Sequence, residues 1–187
     1  RLHAKNIYDD NIKRLVSDEF ELLGLLSTKN NAHNRVPCDV AKSVSNEVLA
    51  LSRHTSGGRL KFITTSDKIV FKALVDTKNQ FSGMPHGNGI SGIDIYVQNQ
   101  YKKSAYPSND GFIDITVSNL GGKKKVVEIY FPLYSELYDF SVWTERRSIA
   151  KKHPGSKKDK FVYYGSSITQ GCCASNPGMT YQSIIYR

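Results

Sequence analysis

From Val48 to Trp143 the chain repeats one theme, a short run rich in β-branched and aromatic residues followed by a turn signal. The runs are VLALS, RLKFITT, IVFKALV, GIDIYV, GFIDITV, KVVEIYFPLY and YDFSVW. Alternation is clear at Leu60/Phe62 and at Ile69/Phe71/Ala73. It is clearest where Ile113, Ile115 and Val117 share one face and Asp114 and Thr116 the other. Many short strands at near-regular spacing, with no helical period among them, predict a mainly β fold, an antiparallel β-sandwich of jelly-roll-like kind.

The flanks read differently. Residues 1–17 form a polar lead-in, and DEFELLGLL at 18–26 fits either a strand or a short helix. RRSIAKKHPGSKKDK is polar and basic and contains Pro154-Gly155, so a linker is expected at 148–160, between a sandwich at 1–147 and a second unit at 161–187. In that unit the apolar run Phe161–Tyr164 predicts a strand, small polar residues a turn, and Tyr181, Ile184 and Ile185 a helix. Strand, turn and helix make the first half of a βαβ unit. A parallel strand needs neighbours on both edges, so this second domain is expected to be incomplete.

A chain of 187 residues with 39% apolar and 11% aromatic content has room for one good-sized core. No apolar run reaches bilayer length, and RLHAKNIYDDNIKR lacks the apolar centre of a signal peptide, so no membrane partner is expected. The net charge of +9 invites a nucleic-acid reading. The lysines cluster in GGKKK and KKHPGSKKDK, a turn and a connector, without clustered arginines or interleaved aromatics. Solvated loops and no nucleic-acid partner are the expectation. Cys38, Cys172 and Cys173 give neither a disulfide framework nor metal-ligand spacing, which predicts buried thiols, no metal and no cofactor.

Gly87-Asn88-Gly89-Ile90-Ser91-Gly92 matches G-x-G-x-x-G, but a loop precedes it and a strand follows, the wrong context for a dinucleotide. Ser148-Ile149-Ala150-Lys151 matches S-x-x-K by chance, within the linker. His54 and His86 lie in loops, where an unpaired histidine is more often a hydrogen-bonding or surface group. Ser166-Ser167 is more informative. At the carboxyl end of a strand in an α/β sheet, a serine on a turn into a helix can expose its hydroxyl and offer its own N–H to an oxyanion. Serine also caps helices, and spacing alone leaves the two readings open.

Gly165-Ser166-Ser167-Ile168-Thr169 resembles block I of the SGNH (GDSL-type) hydrolases, with Ser167 at the nucleophile's position. The continuation Gln170-Gly171-Cys172-Cys173-Ala174-Ser175 and Pro177-Gly178-Met179 is similar to a carbohydrate-esterase-like subgroup. Upstream, Arg35-Val36-Pro37, Leu51-Ser52-Arg53-His54, Ser91-Gly92-Ile93-Asp94-Ile95-Tyr96 and Phe131-Pro132-Leu133-Tyr134 look like signatures of the GxDLY β-sandwich that precedes such domains. Ile95 replaces the usual Leu, and Ser166 the Asp of many GDSL members.

The resemblance implies a sandwich followed by the first strand and helix of an α/β SGNH hydrolase domain. It also implies a serine ester hydrolase acting on a small-molecule or carbohydrate ester, with Ser167 as nucleophile and its N–H as one oxyanion donor. His54 and His86 become candidate contributors to the acyl pocket. The family completes its oxyanion hole with a Gly and an Asn from later blocks and takes its base from Asp-x-x-His; none of these follows Ser167, and no Asp here has His three residues later. The chain alone is therefore expected to be inactive. A polysaccharide substrate implies a periplasmic or extracellular setting. The other reading is a carbohydrate-binding or structural sandwich, to be judged by whether Tyr101, Tyr106 and Trp143 form a stacking platform.

Overall fold

The computed structural model describes residues 9–26, 33–78, 87–155 and 161–187. Two antiparallel sheets face each other. The first holds β1 (Ile12–Arg14), β9 (Leu137–Glu145), β4 (Ile69–Val75) and β7 (Phe112–Val117), in that order. The second holds β10 (Ala150–Lys152), β3 (Arg59–Thr64), β8 (Lys125–Tyr130), β5 (Ile93–Val97) and β6 (Gln100–Ala105), with β2 (Glu21–Leu23) also on β3.

The period-2 pattern determines what fills the space between them. Ile69, Phe71, Ala73, Ile113, Ile115 and Val142 come from the first sheet and meet Leu60, Phe62, Ile95, Val127 and Ile129 from the second, all nearly fully buried. β7 follows its sequence closely, with Ile113, Ile115 and Val117 buried and Phe112 and Asp114 exposed.

Several elements depart from the sequence expectation. VLALS is not a strand: its residues lie in helix α2 (Asn46–Ser52), after α1 (Cys38–Val44). Ser45 Oγ accepts from the Val48 N–H at 3.2 Å, and Glu47 in the first turn with Leu and Ala beyond favours helix. The polar lead-in contributes β1, which pairs with Trp143–Glu145 of β9, and the ambiguous 18–26 stretch contributes β2. β6 escapes the pattern because it is a largely exposed edge strand, QYKKSA, with little apolar alternation to betray it.

The expected linker begins inside the sheet. Ala150–Lys152 pair with Phe62–Thr64, and Ile149 exchanges hydrogen bonds with Thr65 just before them. β2 occupies Arg59–Lys61 of the same β3 edge, so two short strands lie end to end along it. Phe161–Tyr164, expected as a strand, pairs with none of the described residues, and Val162 and Tyr164 are almost wholly exposed. The cysteines are not buried thiols: Cys38 and Cys173 are exposed, and Cys172 is half-buried with its sulfur 3.5 Å from that of Cys173.

Candidate active site

Helix α4 (Ser167–Gln170) follows an N-cap at Ser166 and ends at Gly171. Gly171 has φ of 107°, and a Cβ there would stand 2.7 Å from Thr180 Cγ2 and 2.8 Å from Leu133 Cδ1, so only glycine fits this stop. Ser167 is exposed at the first helical position. Its carbonyl is firmly held, accepting from the Gly171 N–H at 3.1 Å, the Cys172 N–H at 2.8 Å and the Tyr134 hydroxyl at 3.0 Å. No described residue bonds its hydroxyl. Neither serine side chain caps the helix, whereas Thr180 Oγ1 caps α5 (Tyr181–Tyr186) by accepting from the Ser183 N–H.

The sandwich meets α4 at Gln170. Its Nε2 donates to the Leu133 carbonyl and to His54 Nδ1, each at 3.0 Å, while Oε1 accepts from the Arg35 guanidinium at 3.3 Å. A carbonyl only accepts and a guanidinium only donates, so these neighbours fix which way the carboxamide points. His54 Nδ1 must then accept, which places the proton of the neutral ring on Nε2. Ser56 Oγ donates to the Gln170 carbonyl at 2.5 Å, and Arg35 also donates to the Leu51 carbonyl at 2.5 Å.

His54 is buried, and its ring stands 6.0 Å from that of Tyr134. Burial, and secondarily the Arg35 charge, push its pKa down to about 4. It is neutral at physiological pH and engaged with the helix rather than poised as a base. His86 lies outside the described residues. The sequence reading missed Gln170, Arg35 and Tyr134 as interacting groups; the signal was that all three sit in signature stretches far apart in the chain.

A second contact forms on the outer face of the larger sheet. Ile93, Ile95 and Val97 of β5 point into the core, so Asp94 and Tyr96 point away from it, yet both are buried. They are covered by the 3-10 turn Pro177–Met179. Asp94 accepts from the Gly178 N–H at 2.7 Å and from Ser104 Oγ at 2.5 Å. Burial raises its pKa, opposed by these bonds and by Arg187. A Cβ on Gly178 would run into the Tyr96 ring, 2.8 Å from its hydroxyl. Arg187 lies 4.0 Å above Tyr96, and Arg59 3.6 Å from the Tyr186 ring centre. The register places Arg59 and Asp94 on either side of Tyr130, and Lys61 and Tyr96 on either side of Glu128. Polar and aromatic residues thus form a face that receives the second unit.

The remaining motifs take bland positions. Gly87–Ser91 is itself a helical turn, α3, running directly into β5, and Ser148 Oγ donates to the Glu145 carbonyl at 2.7 Å. Tyr101 belongs to β6 and Trp143 to β9 of the other sheet, so these two do not share one face, and Tyr106 is exposed just beyond β6. Among the described residues no helix is long and apolar enough to cross a membrane.

Two family models match. One, GxDLY, described as the N-terminus of SGNH-hydrolase-type esterases, covers residues 14–149; the other, the GDSL-like Lipase/Acylhydrolase family, covers 158–187. No curated protein matches the chain. Among solved structures, one described as a GDSL-like lipase from Bacteroides ovatus is 28% identical with a TM-score of 0.84, over 95% of this chain and 53% of its own. The salicylyl-acyltransferase SsfX3 from a tetracycline biosynthetic pathway is 21% identical with a TM-score of 0.75, over 93% of this chain and 50% of its own. The chain thus spans about half the length of each. With 14–149 matched and the described elements forming the corresponding sandwich, the chain belongs to the GxDLY family of SGNH-hydrolase-type esterase N-termini and continues into a GDSL-like hydrolase segment.

Proposed function

We propose that the protein is a serine ester hydrolase that removes acyl groups, acetyl above all, from a carbohydrate, with Ser167 as nucleophile. The observation that carries this is Ser167 itself: an exposed serine with an anchored carbonyl and a hydroxyl that no described residue bonds, inside the segment matched by the GDSL-like family.

In the reaction Ser167 Oγ attacks the acyl carbonyl as a base removes its proton, the alcohol leaves, and water releases the acyl group. The Ser167 N–H is one donor to the oxyanion. A base with a pKa near 4 is too weak at neutral pH, so His54 does not serve, and the base and remaining donors come from the half of the hydrolase to which this chain does not correspond. That half also covers the apolar surface of Phe161, Val162, Tyr164, Ile168 and Ile185, each more than two-thirds exposed here. A polysaccharide ester as substrate places the protein in the periplasm or outside the cell.

The test is p-nitrophenyl acetate hydrolysis by this chain and by a polypeptide extended through a full hydrolase domain, with and without Ser167→Ala. Activity confined to the longer form and lost by a factor of about 10⁴ or more in the variant supports the reading. Equal activity in both lengths, or survival of activity in Ser167→Ala, refutes it.

A further inference from the structure

We propose that Gln170 is a positioning residue for the reaction: held by His54, Arg35 and Leu133 of the sandwich, its carboxamide sets the orientation of α4 and hence of Ser167. This rests on the reading of Ser167 as nucleophile and adds that the sandwich is a working part of the active site rather than a neighbour of it.

The contacts are unusual in their convergence. Both ends of one carboxamide are engaged, and every partner comes from a different part of the sandwich: Arg35 before α1, His54 after α2, Leu133 after β8. Ser56 adds a bond to the Gln170 carbonyl, and Tyr134 to that of Ser167. A helix of four residues has little rigidity of its own. Its direction must be imposed from outside, and the sandwich grips it at both ends. Near-attack geometry is sensitive to such support, since a displacement of about 1 Å can cost roughly 100-fold in rate.

The network also has a proton requirement that a purely steric contact would lack. Gln170 Nε2 serves two acceptors, His54 Nδ1 and the Leu133 carbonyl. A glutamate at 170 keeps the size and the Arg35 partner but brings oxygen against both. His54 can restore its bond by carrying the ring proton on Nδ1, but the Leu133 carbonyl meets a donor again only when the glutamate carboxyl is protonated, which low pH favours. Among the described residues, Arg35, Asp76 and Tyr134 stand around His54, with Glu136 bridged through its backbone. Of these Asp76 favours the protonated ring and Arg35 opposes it.

The experiment compares wild type, Gln170→Leu, Gln170→Glu and Ser167→Ala in the longer polypeptide spanning the complete hydrolase, reading kcat and KM for p-nitrophenyl acetate between pH 6 and 8, the rate of fluorophosphonate labelling at Ser167, and the melting temperature. Gln170→Leu is expected to lower kcat and the labelling rate roughly 10- to 100-fold with KM within about 2-fold. For Gln170→Glu the ratio of its kcat to that of wild type should rise as pH falls, while the ratio for Gln170→Leu stays flat. Wild-type labelling and kcat in both Gln170 variants overturns the positioning role and leaves Ser167 standing. A loss confined to KM, or a loss in Gln170→Glu with no pH dependence that follows the melting temperature, overturns it too. Persistence of activity in Ser167→Ala overturns the underlying reading instead.

Discussion

Asp94 on β5 and Gly178 in the 3-10 turn are 84 residues apart in sequence, yet the carboxylate accepts the glycine N–H at 2.7 Å in a site closed to water. Removing the acceptor leaves a buried N–H without a partner, which costs about 1–3 kcal/mol. Asp94→Ala is expected to lose that much stability in urea denaturation. Asp94→Asn retains an oxygen for Gly178 and an amide for Ser104, and should stay within about 1 kcal/mol of wild type.

Gly178 carries a second constraint, because a side chain there collides with the Tyr96 ring. Gly178→Ala should cost about 1–3 kcal/mol through overpacking. The penalty should largely disappear in a Tyr96→Ala background. A double-mutant cycle measured by thermal or urea unfolding reads this directly: a penalty undiminished in the second background would place the strain elsewhere.

His54 gives stability a pH dependence of known sign. Its folded pKa is about 4 against an ordinary value of 6.5. The unfolded chain therefore takes up the proton first as pH falls. The contribution is complete above about pH 6.5 and is lost as pH drops toward 4. Melting temperatures at pH 7.5, 6, 5 and 4.5 should fall more steeply for wild type than for His54→Asn, which keeps an acceptor for Gln170 but has no proton to gain.

Arg59 and Tyr186 join the sheet to α5 by a cation–π contact at 3.6 Å. Arg59→Met and Tyr186→Leu, combined in a cycle, should show a coupling of about 0.5–2 kcal/mol. The coupling should persist in moderate salt, since the ring face is not a screened surface charge.

The sandwich was legible because its central strands alternate apolar and polar residues over a shared core, as β4 and β7 do. The misreadings fall where that signal is weak or imitated. VLALS is apolar enough to pass for a strand, but the cap at Ser45 makes it a helix. β6 and β10 are edge strands rich in lysine, paired by backbone bonds that leave little trace in side-chain pattern. Ser167 could be singled out by its local motif. Gln170 could not be assigned a role, because its meaning depends on three partners brought together only by the fold. Asp94 and Tyr96 were visible as the non-core face of β5, but nothing in the strand itself says that this face is covered.

The two short strands laid end to end on β3 have a further result. An uncovered β3, already paired with β8 on one side, would offer the backbone N–H and C=O groups of alternate residues along its other edge, the template on which a second molecule could add a strand. β2 and β10 close it from opposite ends of the sandwich sequence, and neither is long enough to present a sizeable new ladder of its own. An early strand of the sandwich and its last one thus cover together an edge that would otherwise be open to strand addition.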